Sequence, residues 1–553
     1  MESISEKLVK WVNEDPDRLL FCFLDIKGKE TEKYTYSDFY QRTSLIAANL
    51  HHNYDFDSGD RILLAFPPGV EMICAFFACA RLGLIPVPVY PPTSHDFQGA
   101  YYKLSHIAED CQAAAILTNQ DYYWSLKLNL TKNSLSNLSL KRDYLSKVNW
   151  IGTEDFRDID NNDFPERHSD ILFLQYTSGS TSEPKGVKVT HDNVLHNCNA
   201  VLDHAPIGVS WLPQYHDMGL VGYYLFFVIK GGTTYGFSSI DFIRRPSLWL
   251  ETITKYRGTA SSAPNFAYDY CLLPGKISHE TLGEVDLSSL TMLMTAAEPV
   301  RAATYSRFLE FFQPYGLKPE SFYAAYGLAE NTLAVTSYGR QILSVDRDRL
   351  KENKLEVVTL NDQSASTTQI MSCGRPLGDI TVKIVDPKKH QGLGEGDIGE
   401  VWIRGQSKCL GYWNKPQLTK EMFQANISGE NLNGSGGYLR TGDLGFIKHN
   451  ELYICGRAKD MVIIRGLNYF PQDIEKVVED SSNHIRKGCV VAFDILEEEE
   501  KLVVVVGVKN VKTFPDPIKI AAAIRKILNI QPHTITFVLA RTVPKTSSGK
   551  LRR

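Results

Sequence analysis

The sequence predicts an α/β protein in two domains. The first is a large N-terminal domain of mixed, mostly parallel sheets with flanking helices and a β-rich subdomain; the second is a small, mobile α+β C-terminal domain. Three observations predict this. At 553 residues, 43% of them hydrophobic, the chain is far above single-domain size. Short β-branched or aromatic runs alternate with longer helical patterns through the first four-fifths, the order that builds βαβ units. That regime gives way near 456–460, between a β-rich stretch (400–454) and a compact tail, which places the boundary between 1–458 and 459–553.

The elements follow in order. Residues 61–66 read as a strand, 70–82 as a helix and 85–90 as a strand. Further strand-like runs lie at 113–117, 171–174, 187–189, 259–262, 291–295 and 321–326, and several end directly in polar motifs. Open α/β sheets place ligands there, beyond the carboxyl ends of their strands. In the tail, 471–480 and 518–528 read as helices and 501–508 as a strand.

Composition narrows the classes. The formal net charge of -4 gives no electrostatic footprint for nucleic acid. Ten cysteines are scattered with no C-x-x-C pair, so they read as reduced core residues of a cytoplasmic protein. The first residues are charged rather than apolar, unlike a signal peptide. The longest apolar run, 219–229, is short of the roughly 20 residues a membrane span needs.

One loop stands out: Tyr176-Thr177-Ser178-Gly179-Ser180-Thr181-Ser182-Glu183-Pro184-Lys185-Gly186, flanked by β-like runs. Backbone N–H groups, hydroxyls and a cation around one concavity suit phosphate. A flexible Ser/Gly loop has the same composition. In a Walker A loop the lysine follows the second glycine and precedes Ser or Thr; here Lys185 precedes Gly186, which disfavours a P-loop kinase or GTPase.

Four more segments follow: Tyr326-Gly327-Leu328-Ala329-Glu330, Thr441-Gly442-Asp443, Gly456-Arg457-Ala458-Lys459-Asp460 and Pro544-Lys545-Thr546-Ser547-Ser548-Gly549-Lys550. In this order they resemble the adenylate-forming (acyl-activating) superfamily, and most nearly its fatty acyl-AMP ligases. The resemblance implies ATP and Mg²⁺ as cofactors. It also implies a phosphate grip by Thr177, Ser178, Gly179, Ser180, Thr181 and Lys185, and a magnesium ligand in Glu330. Tyr326, with Ala325, Gly327 and Leu328, would line one side of an adenine slot, and Ala297, Glu298 and Pro299 the other. Asp443 would accept the ribose hydroxyls beside Arg457. Lys550 would be the adenylating lysine, bridging carboxylate and α-phosphate oxygens as charge builds, and Lys459 the hinge about which the C-terminal domain rotates. Lys545 has no assigned role.

Trp211-Leu212-Pro213-Gln214-Tyr215-His216-Asp217-Met218-Gly219-Leu220 resembles the extended Pro-x-x-His-x-x-Gly stretch of fatty acyl-AMP ligases. It puts His216 beside the reacting carboxylate, with a structural histidine as the competing reading. The chain lacks the Phe-Asp-x-Ser motif that pairs an amino acid's ammonium in peptide-synthetase domains. The apolar run 219–229 suits an alkyl tunnel or ordinary core. A polar block at 346–369 resembles the insertion those ligases carry, thought to restrain the rotation needed for CoA use. The resulting expectation is activation of a medium- or long-chain fatty acid to its acyl-adenylate with release of pyrophosphate. The acyl group would then pass to the phosphopantetheine thiol of an acyl carrier protein, with no nucleic acid and no membrane span involved. A fatty acyl-CoA synthetase and a non-catalytic lipid- or nucleotide-binding protein are the rivals.

Overall fold

A computed structural model describes residues 2–92, 97–134, 144–158, 163–177, 184–201, 206–358, 367–430, 436–464, 467–496, 500–510, 513–545 and 551. Its largest sheet has nine strands. Five adjacent parallel strands form the centre: Phe322–Gly327, Met292–Thr295, Ala260–Ala263, Ile207–Ser210 and Thr233–Gly236. Leu19–Leu24 joins in parallel beside Thr233–Gly236, while Glu30–Thr35 and Ala334–Gly339 run antiparallel toward the edges. A second, four-stranded parallel sheet contains Ile85–Pro88, Arg61–Leu64, Ala115–Thr118 and Asn149–Gly152. The helix Glu71–Arg81 is buried over its whole length except its first residue, as a crossover between two packed layers must be.

Helices absent from the sequence reading complete this body. Ile4–Glu14 starts with a reciprocal capping box between Ser3 and Glu6, and Tyr36–Asn53 with another between Thr35 and Asp38. The apolar run 219–229 contains a single π-type stretch, Leu220–Leu225, followed by the helix Phe226–Lys230. The β-rich portion is an antiparallel sheet of Thr381–Val385, Gly399–Arg404, Leu439–Lys448 and Glu451–Arg457.

Beyond Arg457 the chain builds a second, smaller core. Three strands, Ile485–Leu496, Glu500–Val508 and Thr534–Leu539, carry the helices Pro471–Asp480 and Pro517–Leu528 on a layer rich in Val and Ile. Polar ties bind this region to the rest. Arg301 pairs with the buried Glu479 at 3.2 Å. The polar block holds a short helix, Arg347–Lys351, between the paired strands Ile342–Asp346 and Thr367–Met371. Lys351 donates to the Leu528 carbonyl at 3.2 Å and sits 4.8 Å over the Tyr469 ring, while Asn468 donates to its carbonyl. No described helix is long and apolar enough to cross a membrane.

Candidate active site

The site begins at a hairpin. Phe173–Thr177 and Lys185–Val189 pair antiparallel, setting Thr177 opposite Lys185 and Tyr176 opposite Gly186. Gly186 is needed there: a Cβ would come within 2.9 Å of the Tyr176 ring. Tyr176 donates its hydroxyl to Asp110 at 2.6 Å, and Lys415 reaches the other oxygen of that carboxylate at 3.3 Å. The hairpin stem is thus pinned from outside, while Thr177 and Lys185 line the cavity. Ser178, Gly179, Ser180 and Thr181 lie outside the described residues.

Glu330 lies in a single 3₁₀ turn, Ala329–Asn331, directly after the strand Phe322–Gly327. Gly327 is fixed by close approach, since a Cβ would meet the Leu333 carbonyl oxygen at 2.0 Å. One Glu330 oxygen accepts the Tyr412 hydroxyl at 2.9 Å, and Lys185 sits 5.3 Å over the same Tyr412 ring. Tyr412 is carried to the hairpin by backbone bonds from Lys188 to Gly411 and from Trp413 to Gly186. A cation, an aromatic ring and a carboxylate from three distant segments are thereby stacked in one place. The arrangement fits magnesium, which is commonly held by one or two carboxylates together with substrate phosphates and waters. A closed protein cage is not what is built, for no group of three or more His, Cys, Asp or Glu gathers among the described residues.

On the other side, Asp443 is the centre of a tight network. Tyr326 donates its hydroxyl to one oxygen at 2.6 Å, and Arg457 Nε reaches the other at 3.1 Å. The Tyr326 hydroxyl is therefore directed at the carboxylate rather than free. Burial, and then the Asp443 charge, push its pKa well above the ordinary tyrosine value. Asp443 in turn raises the Arg457 pKa. The segment before Asp443 is not a turn but a bulge in the strand Leu439–Lys448, held by the buried Glu400, which accepts from Arg440 at 2.8 Å and from the Gly442 N–H at 3.2 Å. Gly442 has φ +71°, a left-handed conformation that suits glycine.

Across the slot, Ala297 adopts φ +71°, the left-handed region where a non-glycine residue is strained. Glu298 accepts from the Phe266 N–H at 2.7 Å, so this carboxylate anchors the segment ahead of Pro299. Ala325, Gly327, Leu328, Ala297, Glu298 and Pro299 all line the same cavity as Tyr326 and Asp443. His216 lines it too, with Nδ1 2.6 Å from Asp217, a contact that fixes the ring. Lys459, in the turn Ala458–Asp460 immediately after the sheet, is held below the usual lysine value by burial and then by the Arg457 charge. Lys550 lies outside the described residues; its neighbours Lys545 and Leu551 form an antiparallel bridge, and both line the cavity.

The cavity is continuous, about 1450 Å³. Besides the polar groups and His216, its lining includes apolar side chains from the π-type stretch and the large sheet, Val221, Phe226, Met292 and Met294. Four contributors escaped the sequence reading: Tyr412, Glu400, Arg301 and Gln175. Each acts on a partner far away in sequence, as Tyr412 does on Glu330, and no local pattern marks it. Gln175 donates to the Tyr215 carbonyl at 3.0 Å and presents a buried oxygen with no protein partner.

Comparison with known proteins shows the family. Residues 8–413 match the model of the AMP-binding enzyme family, and 459–553 match that of the Disco-interacting protein 2-like AMP domain. The medium-chain-fatty-acid–[acyl-carrier-protein] ligase JamA of Moorena producens is 36% identical, over 97% of this chain and 91% of its own length. The long-chain-fatty-acid–AMP ligase FadD32 of Mycolicibacterium smegmatis is 31% identical over 100% and 93%. Among solved structures, the fatty acid AMP ligase from Legionella pneumophila superposes with a TM-score of 0.75 at 35% identity, covering 100% of this chain and 94% of that one. This chain belongs to the AMP-binding enzyme family and, within it, to the fatty acyl-AMP ligases.

Proposed function

We propose that the protein activates a medium- or long-chain fatty acid with ATP and passes the acyl group to the phosphopantetheine thiol of an acyl carrier protein. The observation that carries this reading is that one cavity is lined both by the Asp443–Arg457 network and by the apolar Val221, Phe226, Met292 and Met294, with His216 also on its wall. In the first step a carboxylate oxygen bonds to the α-phosphorus and the bond to pyrophosphate breaks. Thr177, Lys185 and the residues Ser178, Gly179, Ser180 and Thr181 hold the β- and γ-phosphates. Tyr326 and the turn of Ala297, Glu298 and Pro299 flank the adenine, while Asp443 and Arg457 hold the ribose. Glu330 would hold magnesium, which would supply charge neutralisation for the departing pyrophosphate. His216 positions the carboxylate, and Lys550 stabilises negative charge between the two reactants.

In the second step the carrier's thiolate attacks the acyl carbonyl and AMP leaves. Residues 459–553 rotate about Lys459 between the two steps, carrying Lys550 out. The ties from Lys351 to Leu528 and Asn468 fasten the polar block to the part that must rotate, a restraint that the contacts of a protein carrier can offset and free CoA has little surface to offset. Mass spectrometry of the products tests the reading. Protein, ATP, Mg²⁺ and a fatty-acid panel should yield acyl-adenylate that persists in the presence of CoA and disappears onto a phosphopantetheinylated carrier. Conversion to acyl-CoA would make the protein an acyl-CoA synthetase. Lys550→Ala should abolish adenylate formation while retaining ATP binding, and unchanged adenylate would remove Lys550 from the mechanism.

A further inference from the structure

Two glycines stand three residues apart in the apolar run 219–229, only the second of them lining the cavity, and they do opposite things. Gly219 is packed shut: a Cβ there would lie 2.1 Å from the Pro213 carbonyl oxygen. Gly222 faces open space, where a Cβ would meet only the Leu333 Cδ2, at an ordinary 3.5 Å. From residue 218 to residue 229 every position is buried except Gly222. It lies within the π-type turn Leu220–Leu225, whose wider winding sets the register of the neighbouring side chains, a device frequent at functional sites. The turn is locked to the sheet, for Tyr223 donates to Ser262 at 2.8 Å and Thr234 donates to the Tyr223 carbonyl. Ser262 and its cross-strand neighbour Met294 line the same cavity. The gap at Gly222 is therefore a missing side chain in a rigid wall, not slack in a loose one.

We infer that Gly222 sets the length of alkyl chain the site accepts, with Leu333 as the facing jaw. Six residues beyond His216, it lies at most about 9 Å along the helix from the carboxylate end. A short acid ends before reaching it, whereas a long acid must pass. The inference rests on the proposal that the apolar lining receives the alkyl chain.

The test is ATP–pyrophosphate exchange with hexanoate, octanoate, dodecanoate and palmitate on the wild type, Gly222→Ala and Gly222→Leu. In Gly222→Leu, kcat/KM for the longest acid the wild type accepts should fall about 100-fold relative to hexanoate; in Gly222→Ala it should fall about tenfold. Adding Leu333→Ala to Gly222→Leu should restore part of the ratio. Gly222→Ala has room for its methyl group and carries the test if the leucine variant misfolds. An unchanged ratio in an active protein, or equal loss on every acid in a variant with wild-type melting, overturns the role of Gly222 alone. A wild type that exchanges pyrophosphate with none of the four acids overturns the functional proposal and this inference together.

Discussion

The Asp443 side and the Gly222 side of the cavity are built on opposite principles. Around Asp443, shape is fixed by charge: Tyr326, Arg457 and the Glu400-held bulge converge on one carboxylate with short, directed bonds. Around Gly222, shape is fixed by packing, and what stands out is a place where no side chain has been put. A polar clamp tolerates no change of chemistry, since every group removed strands another in a low-dielectric setting. A packed wall is sensitive to volume instead. The two halves should therefore fail differently.

The largest effect is expected from Asp443→Ala. It leaves Arg457 without its partner and Tyr326 without its acceptor, at a cost of about 3 kcal/mol, or about 100-fold, in adenylation. Pyrophosphate exchange with all acids should fall together, in contrast to the length-dependent loss at Gly222. A loss that depended on acyl length would erase the distinction between the halves.

Acid should act through the helix His191–Val201. That helix carries Asn197, Cys198 and Val201 into the cavity, and at its start the buried His191 accepts the Ile4 N–H at 3.3 Å. Burial, and then the neighbouring His168, bring the His191 pKa down to about 4. The folded state thus binds fewer protons than the unfolded chain between about 4 and the ordinary 6.5. The corresponding stability is complete above pH 6.5 and is lost as pH falls toward 4, by up to about 3 kcal/mol. Melting temperature against pH should flatten over that window in His191→Gln.

Arg301→Ala tests the tie between the halves and the C-terminal region. It strands the buried Glu479, whose pKa burial already raises. An effect of about 2 kcal/mol is expected, read as faster tryptic cleavage near 456–460, with Glu479→Gln restoring resistance. The smallest effect belongs to Tyr223→Phe, which removes one buried hydroxyl contact to Ser262 for about 1 kcal/mol of stability. It should change the acyl preference less than either Gly222 variant.

The polar half was the more legible in sequence. Tyr326, Glu330, Asp443 and Arg457 sit in short ordered motifs because each lies at or just beyond a strand end or at a bulge, and such geometry leaves a local signature. The parallel strands were legible for a related reason: buried strands read as compact apolar runs. What joined the motifs was not legible. The hydroxyl of Tyr412 on Glu330 spans 82 residues, and Arg301 on Glu479 spans 178; a single sequence has no periodicity that links such positions. The run 219–229 was ambiguous between tunnel and core, since apolarity alone cannot separate a π-type turn with an empty glycine from a filled helix.

All ten cysteines of the chain are free and buried. Burial pushes the thiols of Cys198, Cys373 and Cys409 up to about 12, so the nucleophilic thiolate is scarce at neutral pH. The folded protein should consequently be almost inert to alkylating reagents and become reactive only on unfolding. One cysteine introduced at the surface of each of 1–458 and 459–553 would then be the sole reactive pair, ready for dyes that test the proposed rotation in real time without first stripping the native thiols.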